Sequence, residues 1–367
     1  MDYQKLIRPE ITNIEPYIPG KPVEEVQREL GLTDVIKLAS NENPLGPSPE
    51  AKKVLEVLAG GVALYPDAGA FVLKEALSEH FGLSTKHFFV GNGSDEVIKV
   101  FAETFYRPGD EVIIPSPTFS VYASAARLMG AKIVTVKGND GYRHDLKKML
   151  QAVTPKTKAI FICCPNNPTG TIVTKDELAC FMNELPEGIL VVIDQAYIDY
   201  NEDSQCASGM DYLDTGRVLV LRTYSKIHGL AGLRLGFGIG HPELIDCLNR
   251  VKEPFSVNIL AQQVGVVALN AVQHVEMSLK KNRSGKEQIG KGLERLGLKY
   301  LPTQANFILF EVPTDTKPIY EQLLKRGVII RRADSFGLPK HFRVTIGLPE
   351  QNQRFLKGLE EVVKEGV

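Results

Sequence analysis

The sequence predicts an α/β fold: a large domain with a mostly parallel central sheet covered by helices, then a smaller α+β domain. Three observations predict it. Short, almost continuously apolar runs recur, most clearly in Gly188-Ile189-Leu190-Val191-Val192-Ile193-Asp194. Strands apolar on both faces belong to parallel sheets buried on both sides. Helical stretches alternate with these runs, the pattern of crossover units. Beyond about Glu253 the rhythm changes to one long helical region followed by strands around a single helix. A length of 367 residues suits about two such domains.

Taken in order, residues 1–45 read as an N-terminal arm packing on the small domain, with turn punctuation in Pro16-Tyr17-Ile18-Pro19-Gly20-Lys21-Pro22 and a short amphipathic helix from Val23 to Leu30. Residues 46–255 form the large domain. A helix spans Phe71 to Phe81, and Phe88-Phe89-Val90 is a strand entering the glycine turn Gly91-Asn92-Gly93. Ser94, Asp95 and Glu96 then open a helix, with acidic residues in its first turn. Strands follow at Glu111–Pro115, Ala131–Lys137, Lys158–Cys164, Gly188–Ile193, Arg217–Leu221 and Leu233–Ile239, with helices at Phe119–Met129 and Thr174–Leu185. Residues 256–367 form the small domain. Its first helix runs from about Asn258 to Leu296, with apolar positions Leu269, Val272, Val275 and Leu279 stepping by three and four. Strands at Ala305–Glu311, Gly327–Arg331 and Phe342–Ile346 precede a last helix from Glu350 to Glu365.

Composition narrows the function. A formal net charge of -1 gives no electrostatic footprint for nucleic acid or an anionic membrane surface. No apolar run approaches the ~20 residues of a membrane helix. Met1-Asp2-Tyr3-Gln4-Lys5 lacks a signal peptide's apolar region. The five cysteines show no CxxC spacing, which suits free thiols in a reducing cytoplasm.

The chemistry gathers just past strand ends, where open parallel sheets bind ligands. After Leu221 comes Arg222-Thr223-Tyr224-Ser225-Lys226, with Arg234 beyond it. Hydroxyls and an arginine can hold a phosphate, and a lysine can condense with an aldehyde. Pyridoxal phosphate needs both. Ser94 at a helix start adds backbone N–H groups for an anion. Asp194 ends a buried strand, where a lone carboxylate is costly and a protonated pyridine nitrogen offsets the cost. Asn167 and Tyr197 can hydrogen-bond a phenolic oxygen, and Phe119 can stack on a ring. Each of these alone is more often a cap, a turn or a core aromatic; their alignment with Lys226 carries the reading.

These segments resemble the fold-type-I pyridoxal-phosphate aminotransferases over nearly the whole chain. The motifs are Asn167-Pro168-Thr169-Gly170, Asp194-x-x-Tyr197, and Ser225-Lys226 followed by Arg234. Tyr17-Ile18-Pro19-Gly20-Lys21-Pro22, Ser40-Asn41-Glu42-Asn43-Pro44-Leu45-Gly46-Pro47, Tyr65-Pro66-Asp67 and Phe342-Arg343-Val344-Thr345-Ile346-Gly347 are similar to the branch acting on histidinol phosphate. The resemblance implies Lys226, Asp194 and Tyr197 as catalytic residues. It implies cofactor contacts from Ser94, Asp95, Phe119, Asn167, Thr223, Ser225 and Arg234, and from Tyr65 of a second subunit in a homodimer with shared sites. It implies substrate contacts from Tyr17, Asn41, Asn306, Arg331 and Arg343, with 2-oxoglutarate as amino acceptor and glutamate as product. Phe119 departs from the tyrosine of many relatives; stacking survives, a hydroxyl contact does not.

Aromatic amino-acid transamination and threonine-phosphate decarboxylation stay open within the family. A nicotinamide oxidoreductase finds support only in Gly236-Phe237-Gly238-Ile239-Gly240, which lacks the strand-to-helix spacing of a dinucleotide fingerprint. A ligand-sensing regulator of this fold calls for a DNA-binding module, and no basic segment for one is present.

Overall fold

The computed structural model describes residues 1, 3–12, 14 and 20–365. Its strands are β1 (Ile36–Leu38), β2 (Phe88–Gly91), β3 (Glu111–Ser116), β4 (Lys132–Lys137), β5 (Thr157–Cys163), β6 (Leu190–Asp194), β7 (Val218–Thr223), β8 (Gly236–Gly240), β9 (Phe307–Glu311), β10 (Val328–Arg332) and β11 (His341–Thr345). Its helices are α1 (Val23–Leu30), α2 (Pro49–Leu58), α3 (Phe71–Phe81), α4 (Ser94–Phe105), α5 (Val121–Leu128), α6 (Leu146–Gln151), α7 (Lys175–Glu184), α8 (Pro242–Asn249), α9 (Ile259–Leu269), α10 (Val272–Arg295), α11 (Thr316–Lys325) and α12 (Pro349–Lys364).

Among the described residues the strands form a seven-stranded sheet, β2-β8-β7-β6-β5-β3-β4, and a four-stranded sheet, β1-β10-β11-β9. The large sheet is parallel except for β8, which runs against both β7 and β2. The cause is local. Residues 224–235 join β7 to β8 without an α-helix, and a parallel return needs a crossover. The glycines of β8 are explained by close approach. A Cβ on Gly236 would lie 2.4 Å from the Ser94 backbone nitrogen, and one on Gly238 3.0 Å from Val97. They let β8 lie against α4, and no dinucleotide is needed to account for them.

Both faces of the large sheet are covered, which is why its strands read as unbroken apolar runs. Val191 and Ile193 of β6 enter one core with Val218 and Val220 of β7, while Val192 enters the other with Leu219 and Leu221. Each such side chain contributes about 1.5–3 kcal/mol when fully buried. The small sheet has its own core, in which Ile308, Val328 and Phe342 meet Ile289 of α10 and Phe355 of α12.

Two expectations change. The helical region 258–296 breaks at Asn270-Ala271 into α9 and α10. Ala261, Val264 and Ala268 of α9 pack in the large core, so α9 lies with the large domain, past the expected boundary at 255. The turn at 270–271 redirects the chain so that α10 can bury Ile289 and Leu293 in the small core. The arm also reaches both bodies. β1 pairs with β10 in the small sheet, and Val26 of α1 packs with Leu324 and Ile329. Upstream, Arg8 donates to the Leu128 carbonyl at the end of α5 at 2.7 Å.

Candidate active site

The carboxyl ends of β3, β5, β6 and β7 open on one cleft of about 810 Å³, lined among others by Ser116, Cys163, Asp194 and Thr223. Arg331 and Arg343 of the small sheet form its opposite wall.

Lys226 sits three residues past β7. Its Nζ donates to the Ser40 carbonyl at 3.3 Å and lies 5.6 Å from the centre of the Tyr197 ring. Burial, helped by the Arg343 charge, pulls its ammonium down to about 8. Free amine is then a sizeable fraction near neutrality, as a nucleophile or base requires. Asp194 ends β6. Its Oδ1 accepts the Ala196 N–H at 3.0 Å and its Oδ2 accepts the Tyr122 hydroxyl at 2.5 Å. Burial nevertheless pushes its carboxyl above the usual value. A carboxylate so placed favours a cation in the cleft.

Tyr197 is buried, stands edge-on to Phe307, and accepts the Asn41 amide at 2.9 Å. Burial pushes its phenol up. Asn167 offers its Oδ1 to Arg343 Nη1 at 2.6 Å, which leaves its amide hydrogens for another acceptor. Thr223 and Ser225 are buried and joined by a 3.1 Å hydrogen bond from the Ser225 N–H to the Thr223 hydroxyl. Ser94 opens α4 after Gly93 (φ 80), and Arg234 reaches Asp95 at 3.4 Å. A Cβ on Gly93 would sit 2.7 Å from Arg234 Nη2. The helix start, both hydroxyls and the guanidinium thus surround one corner of the cleft. Phe119 lines the cleft and stands edge-on to Tyr122, centroids 5.6 Å apart.

Arg343 is buried and also donates to the Ala39 carbonyl at 2.7 Å. Arg331 lies directly opposite it across the antiparallel β10–β11 pair and reaches Ser335 at 3.4 Å. Asn41 lines the cleft in a left-handed conformation (φ 56). Asn306 does not line it; buried behind, it donates to the Asn41 carbonyl at 3.0 Å. Tyr65 is apart from the cleft, 81% exposed and stacked on Phe255 at 4.7 Å. Tyr17 lies outside the described residues.

Sequence reasoning missed Tyr122, Ser40, Asn166 and Thr345. Asn166 ties the Asn167 loop to Pro117 and Thr118, and Thr345 holds both the backbone and side chain of Asn41. Tyr122 reads in sequence as one more apolar position of α5; nothing local signals that its hydroxyl meets a residue 72 positions away.

Residues 33–359 match the family model described as aminotransferase class I and II. The chain is 49% identical over 358 residues to a histidinol-phosphate aminotransferase of Moorella thermoacetica, covering 97% of this chain and 92% of that one. It is 44% identical over 363 residues to that of Symbiobacterium thermophilum, covering 98% and 99%. In fold it is similar to the histidinol-phosphate aminotransferase of Sinorhizobium meliloti solved with pyridoxal-5'-phosphate, with a TM-score of 0.91, 24% identity and 98% of each chain covered.

Proposed function

The chain belongs to the class I and II aminotransferases, and from that premise we propose that it moves the amino group of histidinol phosphate to 2-oxoglutarate, giving imidazole acetol phosphate and glutamate for histidine biosynthesis. The observation that carries the substrate choice is the arginine pair. Arg331 and Arg343 are cross-strand partners, and both line the cleft. Like charges directly opposite are destabilising. A phosphate, near two negative charges at neutral pH, suits two guanidinium groups. The distal carboxylate of 2-oxoglutarate suits the same pair.

Pyridoxal phosphate fits the residues present. The corner formed by Ser94, Thr223, Ser225 and Arg234 suits its phosphate, with the Asp95 backbone adding an N–H. The buried Asp194 suits its ring nitrogen, and Phe119 its ring face. Asn167 and Tyr197 suit its phenolic oxygen. When bound, the group supplies an aldehyde for amines and a protonated ring that draws electrons from the substrate's Cα. Lys226 would do the rest of the proton work: its Nζ would take the Cα proton and carry it through the 1,3-transfer. Asp194 holds a proton on the ring nitrogen by its charge. Arg343, Arg331, Asn41 and Tyr17 hold the substrate, with Asn306 fixing the Asn41 backbone. The reading includes a homodimer in which Tyr65 serves the partner's cofactor phosphate, and a cytoplasmic setting, which suits cysteines without CxxC spacing.

Turnover of histidinol phosphate, phenylalanine and threonine phosphate, measured side by side, tests the substrate. Arg331→Ala and Tyr17→Phe should weaken histidinol phosphate more than phenylalanine, the arginine by about 1.5–3 kcal/mol. Equal losses on both substrates would place the phosphate elsewhere.

A further inference from the structure

We propose that Tyr122 is a positioning residue for Asp194, fixing how the carboxylate faces the cleft and stabilising its negative charge. The contact belongs to the protein itself; only its catalytic consequence rests on the reading of Asp194 as partner of a cationic ring.

The geometry is specific. The Tyr122 hydroxyl donates to Asp194 Oδ2 at 2.5 Å, while Oδ1 takes the Ala196 N–H at 3.0 Å. Each oxygen is anchored once, from the protein side, and Asp194 still lines the cleft. Neither anchor can be exchanged for water, because Tyr122 is fully buried and Asp194 is 4% exposed. The tyrosine ring is itself held, stacked on Phe161 with centroids 4.5 Å apart and edge-on to Phe119 at 5.6 Å. The segment that leads into α5 therefore presents an aromatic face to the cleft through Phe119 and, three positions on in the first turn of α5, a donor behind the carboxylate.

A tyrosine suits this place better than a charged donor. Burial pushes its phenol well above the usual value, the Asp194 charge adding to the effect. It therefore stays a neutral O–H donor across the working range of the enzyme. A histidine there would titrate and carry its own charge into the site. The other charged or titratable groups acting on Asp194 are Asp95 of α4, Cys163 of β5, Tyr197 beyond its own strand, and Lys226. Burial and Asp95 oppose the ionised form, while Tyr122, the Ala196 N–H and Lys226 favour it. Among the described residues, Tyr122 is the one side-chain hydrogen-bond donor on the favourable side. A hydrogen bond to a buried charge is strong, and its loss leaves the charge under-solvated.

The test titrates Asp194 in cofactor-free protein by infrared difference spectroscopy, with Asp194→Asn subtracted to isolate its carboxyl band. Tyr122→Phe keeps the ring and its stacking and removes only the hydroxyl. The Asp194 midpoint should rise by about one to two pH units. A fluorotyrosine at 122, a stronger donor of nearly the same shape, should move the midpoint down and covers the case in which the Phe variant fails to fold. In the loaded enzyme, Tyr122→Phe should lower kcat for histidinol phosphate and leave KM within about twofold. An unmoved midpoint in either variant overturns the proposal. A midpoint that moves while Asp194→Asn turns over like the parent protein upholds the Tyr122 assignment and removes the ring-partner reading instead.

Discussion

Two ionisable groups of the cleft, the part-buried Lys226 and the buried Asp194, are displaced from their ordinary titration ranges, and each displacement can be measured without turnover. Lys226 is pulled down to about 8, first by burial and then by Arg343. The rate at which cofactor-free protein takes up pyridoxal phosphate should climb from pH 6 to 9 with a midpoint near that value. A midpoint near an ordinary lysine, 10.5, would remove the activated-amine assignment. Asp194 is displaced upward by burial, so its contribution to stability is present below the unfolded value of about 3.8 and is lost as pH rises through the higher folded one. The ionised carboxylate therefore opposes folding of the cofactor-free protein. Asp194→Asn keeps an oxygen for the Ala196 N–H, and its amide can donate to the Tyr122 oxygen. It should raise the cofactor-free Tm wherever Asp194 is ionised in the folded protein, as thermal unfolding followed across pH will show. The gain should shrink toward acid pH, while activity collapses at every pH. These two residues were legible in the sequence because each follows an unbroken apolar run that fixes a strand end. Tyr122 was not, since a hydroxyl inside a helix pattern is indistinguishable from core until the facing strand is known.

At the scale of elements, the β2–α4 turn shows how a backbone position and a side chain share one task. Gly93 has φ 80, and a Cβ there would come within 2.7 Å of Arg234 Nη2. Gly109 has a similar φ of 95 but nothing within 4 Å. Gly93→Ala and Gly109→Ala should both lose stability to backbone strain, Gly93→Ala by roughly 1–3 kcal/mol because its ψ of 166 places it in a region kept for glycine. Only Gly93→Ala should also weaken phosphate and cofactor binding, because the guanidinium must move out of the corner. Isothermal titration with pyridoxal phosphate separates the two, and equal affinities would mean that Arg234 does not hold the phosphate. The glycine turn was readable from its strand-turn-helix pattern. The reversed β8 was not, because its direction depends on what fills residues 224–235, and the irregular connection has no periodicity to read. Nor was the break at Asn270-Ala271: apolar steps of three and four continue through Leu269, Val272 and Val275, so the pattern gives no sign that two cores are being served in turn.

On the scale of the whole molecule, the proposed homodimer is argued from exposed apolar side chains. Val57, Val62, Leu64, Tyr65, Phe71, Val72, Phe255 and Val272 are all exposed, and Tyr65 stacks on Phe255. Tyr65 and Phe255 thus stand together on the outside of the large domain, without lining the cleft of their own chain. Exposed apolar surface that gathers in one place marks an interaction site. A twofold interface would place the same patch on both copies, so each Tyr65 can reach across only if the partner's cleft opens near it. The consequence is complementation. Lys226→Ala has no amine in its own cleft but an intact Tyr65 to lend, and Tyr65→Ala has the amine but lends nothing. Unfolded together and refolded in equal amounts at limiting cofactor, they should form heterodimers in which one cleft carries both defects and the other neither. Random pairing then restores about a quarter of the parent's sites, well above the activity of either variant alone. Sedimentation should show a dimer throughout. If mixing adds nothing to the separate activities, Tyr65 serves its own chain or none, and the exposed face must have another purpose.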